Sequence, residues 1–345
     1  MTFEERNIEF SKLKAEITKN ATLKECLLSD SFEDCSNDII NAHSLQRMGA
    51  LARIEYNVNG NNGVYALTEK QLNPQTGLLE LKPIGKKVAS TFFGFCGNHD
   101  LKLFQPIEQN PDLIDLESDE HCFLLSFRAF AISCHRKKED INLLSKQDEP
   151  LRNKIREYFN NSDIESQLEI SKIGLQDLDR YKGILIQALK NKEYDSLDYL
   201  TYELDYTVPV AMSMMTTPPF LFSGKPININ SDPNYQYSDI LTTVIPLESR
   251  SLIILAAFPD DPFGSEFLTE LENMSDLEFQ KALTWHIITN SENCFFSPKW
   301  FDKMDKRQKQ FIIELNDFSG AVTTPYLKYD KNRFNINILD KKHSI

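Results

Sequence analysis

Glycine is scarce in this chain, with 12 in 345 residues, and no Gly-x-Ser-x-Gly or phosphate-cradling glycine loop occurs. That shortage argues against dinucleotide binding and against covalent hydrolase chemistry built on a nucleophile elbow. An excess of positive charge is also missing: 38 Lys and Arg stand against 51 Asp and Glu, for a net charge of −13. Such a field repels polyanions and argues against a large duplex footprint, although binding depends on the patch that faces the phosphates. Arg136-Lys137-Lys138 and Lys86-Lys87 are the local basic patches that would serve a nucleic-acid partner. No apolar run approaches the ~20 residues of a membrane helix. The longest, 251–258, reads as a buried strand. The charged start, Met1 to Arg6, lacks the apolar stretch of a signal peptide, so a cytoplasmic protein without a membrane partner is expected. Internal repeats and low-complexity tracts are lacking as well.

What is present is ordinary core material. Hydrophobic residues make up 41%, and 23 Phe and 12 Tyr supply volume that disordered chains do not have. The length suits two domains. The polar stretch ending at Pro150 suggests a division into 1–147 and 148–345.

Six cysteines in such a chain read as metal ligands and core residues rather than disulfides. Cys96 and His99 lie two residues apart across Gly97-Asn98, a spacing whose turn brings a thiolate and an imidazole to one tetrahedral ion. Cys26 and Cys35 form the second pair, with a wider loop than a tight knuckle. The four together predict one structural Zn²⁺. The alternative is that the thiols are small buried hydrophobes and His99 a cap or core residue. Cys122, Cys134 and Cys294 lack partner spacing and read as structural.

Helical spacing of apolar residues covers 3–28, interrupted at Asn20-Ala21-Thr22, and a short helix fits Leu45–Ile54. Asn59–Gly63 reads as a turn before a small antiparallel sheet over 64–82, and Asn73–Gly77 as the turn between its strands. A helix opens at His99 with Asn98 or Asp100 as its cap, which places Cys96 on a turn and His99 on a helix start, as in a treble-clef finger. Residues 120–147 are apolar on nearly every face and should form a buried helix. Helices over 151–159 and 174–200 follow. Strands over 208–214, 220–222, 240–245 and 251–258 come next, punctuated by turns that include Asp232-Pro233-Asn234. Helices over 276–289 and 298–315 end the pattern. The expected class is α+β: a treble-clef-like zinc finger packed on helices in the first half, mixed helix and antiparallel sheet in the second.

The segment Ala42-His43-Ser44-Leu45-Gln46-Arg47, with Ser90-Thr91-Phe92-x-Gly94-Phe95-Cys96-x-x-His99-Asp100-x-x-Leu103-Phe104-x-x-Ile107-Glu108, resembles an uncharacterised family of bacterial proteins over residues 26–130. That family carries no established activity. More loosely, the order Cys, Cys, Ala-His, Cys-x-x-His-Asp is similar to the HNH-type ββα-metal nucleases. The likeness implies Cys26, Cys35, Cys96 and His99 as zinc ligands, His43 as general base and Asp100 as ligand to a catalytic Mg²⁺ or Mn²⁺. A base of near-neutral pKa and a carboxylate-held divalent ion suit phosphodiester hydrolysis. Such an enzyme would fit a bacterial defence effector. The sequence departs from the pattern at Ala42, where HNH enzymes carry an acidic residue or a second histidine before the base. The competing expectation is a non-catalytic, zinc-stabilised module whose acidic surface binds another protein.

Overall fold

The computed structural model describes residues 3–72, 79–146, 148–158, 163–229, 235–290, 292–315, 328–332 and 334–345. The expected turns over 73–77 and 232–234 lie outside the described residues. Its strands are β1 (Ile39–His43), β2 (Tyr56–Val58), β3 (Asn61–Leu72), β4 (Leu79–Ile84), β5 (Thr91–Cys96), β6 (Asp198–Leu204), β7 (Val210–Thr216), β8 (Ile240–Pro246), β9 (Ser251–Ala257) and β10 (Cys294–Phe296). Its α-helices are α1 (Phe3–Ala21), α2 (Ala50–Ile54), α3 (Gly97–Glu108), α4 (Asp119–Leu144), α5 (Glu149–Tyr158), α6 (Ile164–Asn191), α7 (Gly264–Glu272), α8 (Asp276–Thr289), α9 (Pro298–Phe301) and α10 (Lys306–Leu315). The protein is α+β with antiparallel sheets, as its patterning implies.

The chain divides into two compact units made of interleaved segments, 1–42, 92–100 and 131–187 in one, and 43–91, 101–130 and 188–345 in the other. The sequence reading expects a single cut at 147/148, a point that lies inside the first of these units. Pro150 does not end an element. It occupies the second position of α5, where its missing N–H is not needed by the helix.

In the first unit, Ile17 of α1 packs with Leu143 and Leu144 of α4, Leu151 and Ile155 of α5, and Ile164 of α6. The end of α1 is tied by Asn142, whose Nδ2 donates to the carbonyls of Asn20 and Ala21 at 3.2 and 3.0 Å. Those are two of the carbonyls a helix terminus leaves without an internal partner. The interruption expected at 20–22 is thus a true helix end.

In the second unit an eight-stranded sheet runs β2-β3-β10-β7-β8-β9-β6, with β4 also paired to β3. The short strand β10 decides the organisation. Phe295 pairs with Ala66 of β3 on one side and with Ala211 of β7 on the other. The hairpin near residue 60, which sequence spacing groups with the finger, therefore belongs to the large sheet. Every residue of β8 and β9 is buried, so both faces are covered, which is why 252–257 reads as a continuous apolar run rather than an alternating one, while β8 buries Thr242 and Thr243 among its apolar residues. Helix α7 packs on β9 and β6, and α2 on β7 and β8.

Two element boundaries differ from expectation. The helix expected over 174–200 stops at Asn191, because Lys192 adopts φ of 58°, a left-handed C-terminal turn. Asp198–Leu204 then pairs along its full length with β9. The helix expected over 298–315 is broken in two, since Asp305 turns its carboxylate onto the amides of Arg307 and Gln308, both at 2.9 Å, and starts α10 afresh. Segment 220–222 is no strand but a single bridge, Phe220 to Pro226.

Candidate metal centre

Strands β1 and β5 pair in a two-stranded sheet, and the chain leaves β5 directly into α3. Cys96 is the last residue of the strand, and His99 lies in the first helical turn. Gly94 is required on the way: a Cβ there would come within 2.3 Å of the Phe92 ring, which is itself buried. The loop after α1 is pinned to the same strand, with Glu25 N–H donating to the Phe93 carbonyl at 3.2 Å and Leu27 N–H to the Gly94 carbonyl at 2.8 Å. Those bonds hold Cys26 beside β5. On the far side of that loop, Gly97 N–H donates to the Asp38 carbonyl at 3.1 Å and fixes the stretch that carries Cys35.

The result is a convergent donor set. The ligand atoms of Cys26, Cys35, Cys96 and His99 all lie within 4.8 Å of one another, and Cys26, Cys96 and His99 are buried. A tetrahedral ion with Zn–S arms of ~2.3 Å spaces its sulfurs ~3.8 Å apart, so a contraction of about an ångström closes the set. His99 Nδ1 faces the Cys26 sulfur at 3.2 Å, while its Nε2 is 2.8 Å from Asp34 Oδ1. This is the arrangement that orients a ligating histidine: one nitrogen toward the metal, the other held by a carboxylate. Asn98 Nδ2 in turn donates to the Asp34 backbone carbonyl at 2.6 Å and to its carboxylate at 3.0 Å.

Electrostatics fit a cation. Burial alone would raise the Cys96 thiol, but hydrogen bonds from the Ser36 side chain and from the His99 and Ser36 amides outweigh it and hold the group below its ordinary range. Burial pushes the Cys26 thiol the other way, upward. A buried site that favours one thiolate and resists the next is completed by a divalent ion, which deprotonates coordinating thiols outright. The four residues could hold a metal ion such as zinc. The other cysteines differ: burial drives the thiols of Cys122 and Cys134 up to about 12 and about 11, and raises that of Cys294 well above its ordinary value, so they behave as core residues.

The other two residues of the sequence-based site, His43 and Asp100, are not in that donor set. His43 belongs to the second unit and Asp100 to the first. Among the described residues, neither joins a group of three or more His, Cys, Asp or Glu donors that could hold an ion. Burial lowers the His43 pKa, with Arg47 and Arg128 adding to the effect, while a backbone hydrogen bond at Lys86 and the charge of Glu108 oppose it. Its Nε2 is buried without a hydrogen-bond partner.

The basic runs are locally neutralised. Arg136 pairs with Glu139 at 2.7 Å, Lys138 with Glu25 at 2.5 Å and Lys86 with Glu55 at 2.7 Å. Asp34 and Ser36 carry no ligand spacing of their own, and their one signal in the sequence is that they flank Cys35. No helix among the described residues is long and apolar enough to cross a membrane. No protein-family model, no curated protein and no solved structure matches this chain.

Proposed function

We propose that the Cys3His group is a structural zinc centre and that the chain acts as a non-catalytic, zinc-stabilised interaction module in the cytoplasm. The observation that supports this most is the closure of the donor set. Cys26, Cys35, Cys96 and His99 supply four protein ligands, which fills a tetrahedral ion and leaves no position for water or substrate. Asp34 holds His99, and Ser36 with the His99 amide supports Cys96, so the ligands are also held from outside. With a net charge of −13, a protein partner with a basic surface is favoured over a polyanionic one.

A second reading is kept for one observation. His43 is biased toward the neutral imidazole and carries an unpartnered Nε2, the state of a histidine that can accept a proton from water. On that reading the chain is an HNH-like nuclease of bacterial defence, with Asp100 contributing to a Mg²⁺ or Mn²⁺ site. The full chain, purified without chelator, separates the two. The module reading expects about one zinc per chain and intact single-stranded DNA, duplex DNA and RNA after incubation with Mg²⁺ or Mn²⁺. Cleavage that disappears in His43→Ala while zinc is retained would reverse the choice, because losing a general base costs about 10² to 10⁴ in rate. Protein that holds no zinc defeats both.

A further inference from the structure

We propose that the second unit carries a binding pocket for a small phosphate-bearing ligand, a phosphate or polyphosphate ester of nucleotide size. It occupies a cavity of about 450 Å³ whose walls include Lys281, Lys299, Trp300, Lys303, Lys342 and His343. The proposal shares no residue with the metal centre and does not depend on its role.

Charge is the first support. The chain has 13 more acidic than basic side chains (51 less 38), and its lysines are commonly paired, as Lys154 with Glu16, Lys225 with Glu266 and Lys341 with Asp205. Lys281, Lys299 and Lys303 line one cavity, and among the described residues none of them has an ion-pair partner. They come from separate places, Lys281 from α8, Lys299 from α9 and Lys303 from the turn after it. Among the described residues the only acidic side chain on the wall is Asp340, and it is engaged: it accepts from the Lys342 amide at 3.0 Å and pairs with Lys342 Nζ at 2.8 Å. Gathering like charges around a concave, partly apolar wall is unfavourable unless an anion enters, and the same geometry raises the local anion concentration.

A buried donor is the second support. Trp300 is only 4% exposed and wedged between Phe296, stacked at 6.0 Å between ring centroids, and His343, edge-on at 5.9 Å. Its indole N–H is buried and has no hydrogen-bond acceptor. Leaving such a donor unsatisfied costs about 1–3 kcal/mol, and Trp300 is on the cavity wall, where an oxygen-rich ligand that reached the indole N–H would supply the acceptor. The volume lies within the ~300–1,000 Å³ of small-molecule pockets, which is room for an organic part besides the phosphate.

The test is calorimetric titration of the full chain with ATP, pyrophosphate and adenosine, with tryptophan fluorescence followed in parallel. ATP and pyrophosphate should bind saturably, more weakly as salt rises, and adenosine should not. Lys299→Glu with Lys303→Glu, both at exposed positions, should weaken ATP binding by tenfold or more, about 1.4 kcal/mol. The same reversal at Lys12 and Lys172, outside the pocket, should leave ATP binding unchanged. Trp300→Phe, which keeps the ring and removes the donor, should weaken binding without loss of folded signal by circular dichroism. The proposal is overturned if ATP and pyrophosphate fail to saturate at millimolar concentration, if adenosine binds as well as ATP, or if the remote reversal weakens binding as much as the pocket reversal.

Discussion

In the first unit, Ile17 is the only fully buried residue among the described side chains of α1, and that helix is tethered by Asn142 and by the exposed Lys154–Glu16 pair. In the second, β8 and β9 bury all of their side chains and are bonded to neighbours on both edges. The contrast is between a region where a small apolar cluster is joined by polar fastenings and a donor cluster, and one where extensive apolar burial sets the shape at ~25 cal/mol per Å². Exposed ion pairs contribute at most about 1 kcal/mol each, so the Lys154–Glu16 pair cannot substitute for burial. A metal centre can, because the free energy of binding a structural ion to a site that does not exist in the unfolded chain is folding free energy.

The sharpest way to break this comparison is Cys96→Ser. It should take zinc from one per chain to none by elemental analysis and remove on the order of 10 kcal/mol of metal-linked stability from the first unit. Amide exchange should then speed up in α1 and α5 while β8 and β9 keep their protection. Uniform loss of protection across both regions would mean the second does not stand on its own burial. The next largest effect belongs to the sheet. Phe296→Ala removes a fully buried aromatic and should cost about 3–5 kcal/mol by denaturant unfolding, with zinc content unchanged. Zinc lost along with it would erase the distinction.

A smaller change sharpens the comparison on the metal side. Asp34→Asn keeps the shape at His99 Nε2 but removes the carboxylate, so zinc affinity in a competition titration should fall by about 10- to 100-fold. An unchanged affinity would show that Asp34 does not orient the ligand.

How much of this was open to reading in the chain depends on the range of each interaction. Cys96-x-x-His99 declares itself because the turn that joins the ligands is local, and the β-branched and apolar runs at 240–245 and 251–258 mark buried strands for the same reason. Strand β10 does not: three residues between helices carry no period, and Phe295 is strand only because Ala66 and Ala211 lie on either side of it. Asp34 is one acidic residue among 51 acidic side chains, and nothing local tells it from the rest. The basic runs mislead in the opposite direction. Adjacent lysines and arginines at 136–138 attract notice, yet Glu139 and Glu25 neutralise two of the three. Lys281, Lys299 and Lys303, spread over 22 positions (303 less 281), gather only in the fold.

The smallest expected effect tests the sheet side without touching its packing. His286 sits in α8, fully buried, its Nε2 within 3.2 and 3.0 Å of the Thr216 and Thr242 hydroxyls. Burial lowers its pKa from 6.5 to about 3. The folded state therefore keeps the ring neutral down to that point, whereas the unfolded chain takes up a proton as pH falls through 6.5. Between those limits the unfolded state holds the extra proton, so the contribution of His286 is complete above 6.5 and is lost progressively as pH falls toward 3. As pH falls from 6.5 to about 5.5 the loss should be about 1 kcal/mol. Zinc release on acidification would add a pH dependence of its own, from thiolates taking up protons. The two separate in the Cys96→Ser background, where the metal contribution is gone and the His286 slope should remain. If that slope vanishes with the zinc, or persists in His286→Gln, the acid sensitivity of the second unit does not come from this buried imidazole.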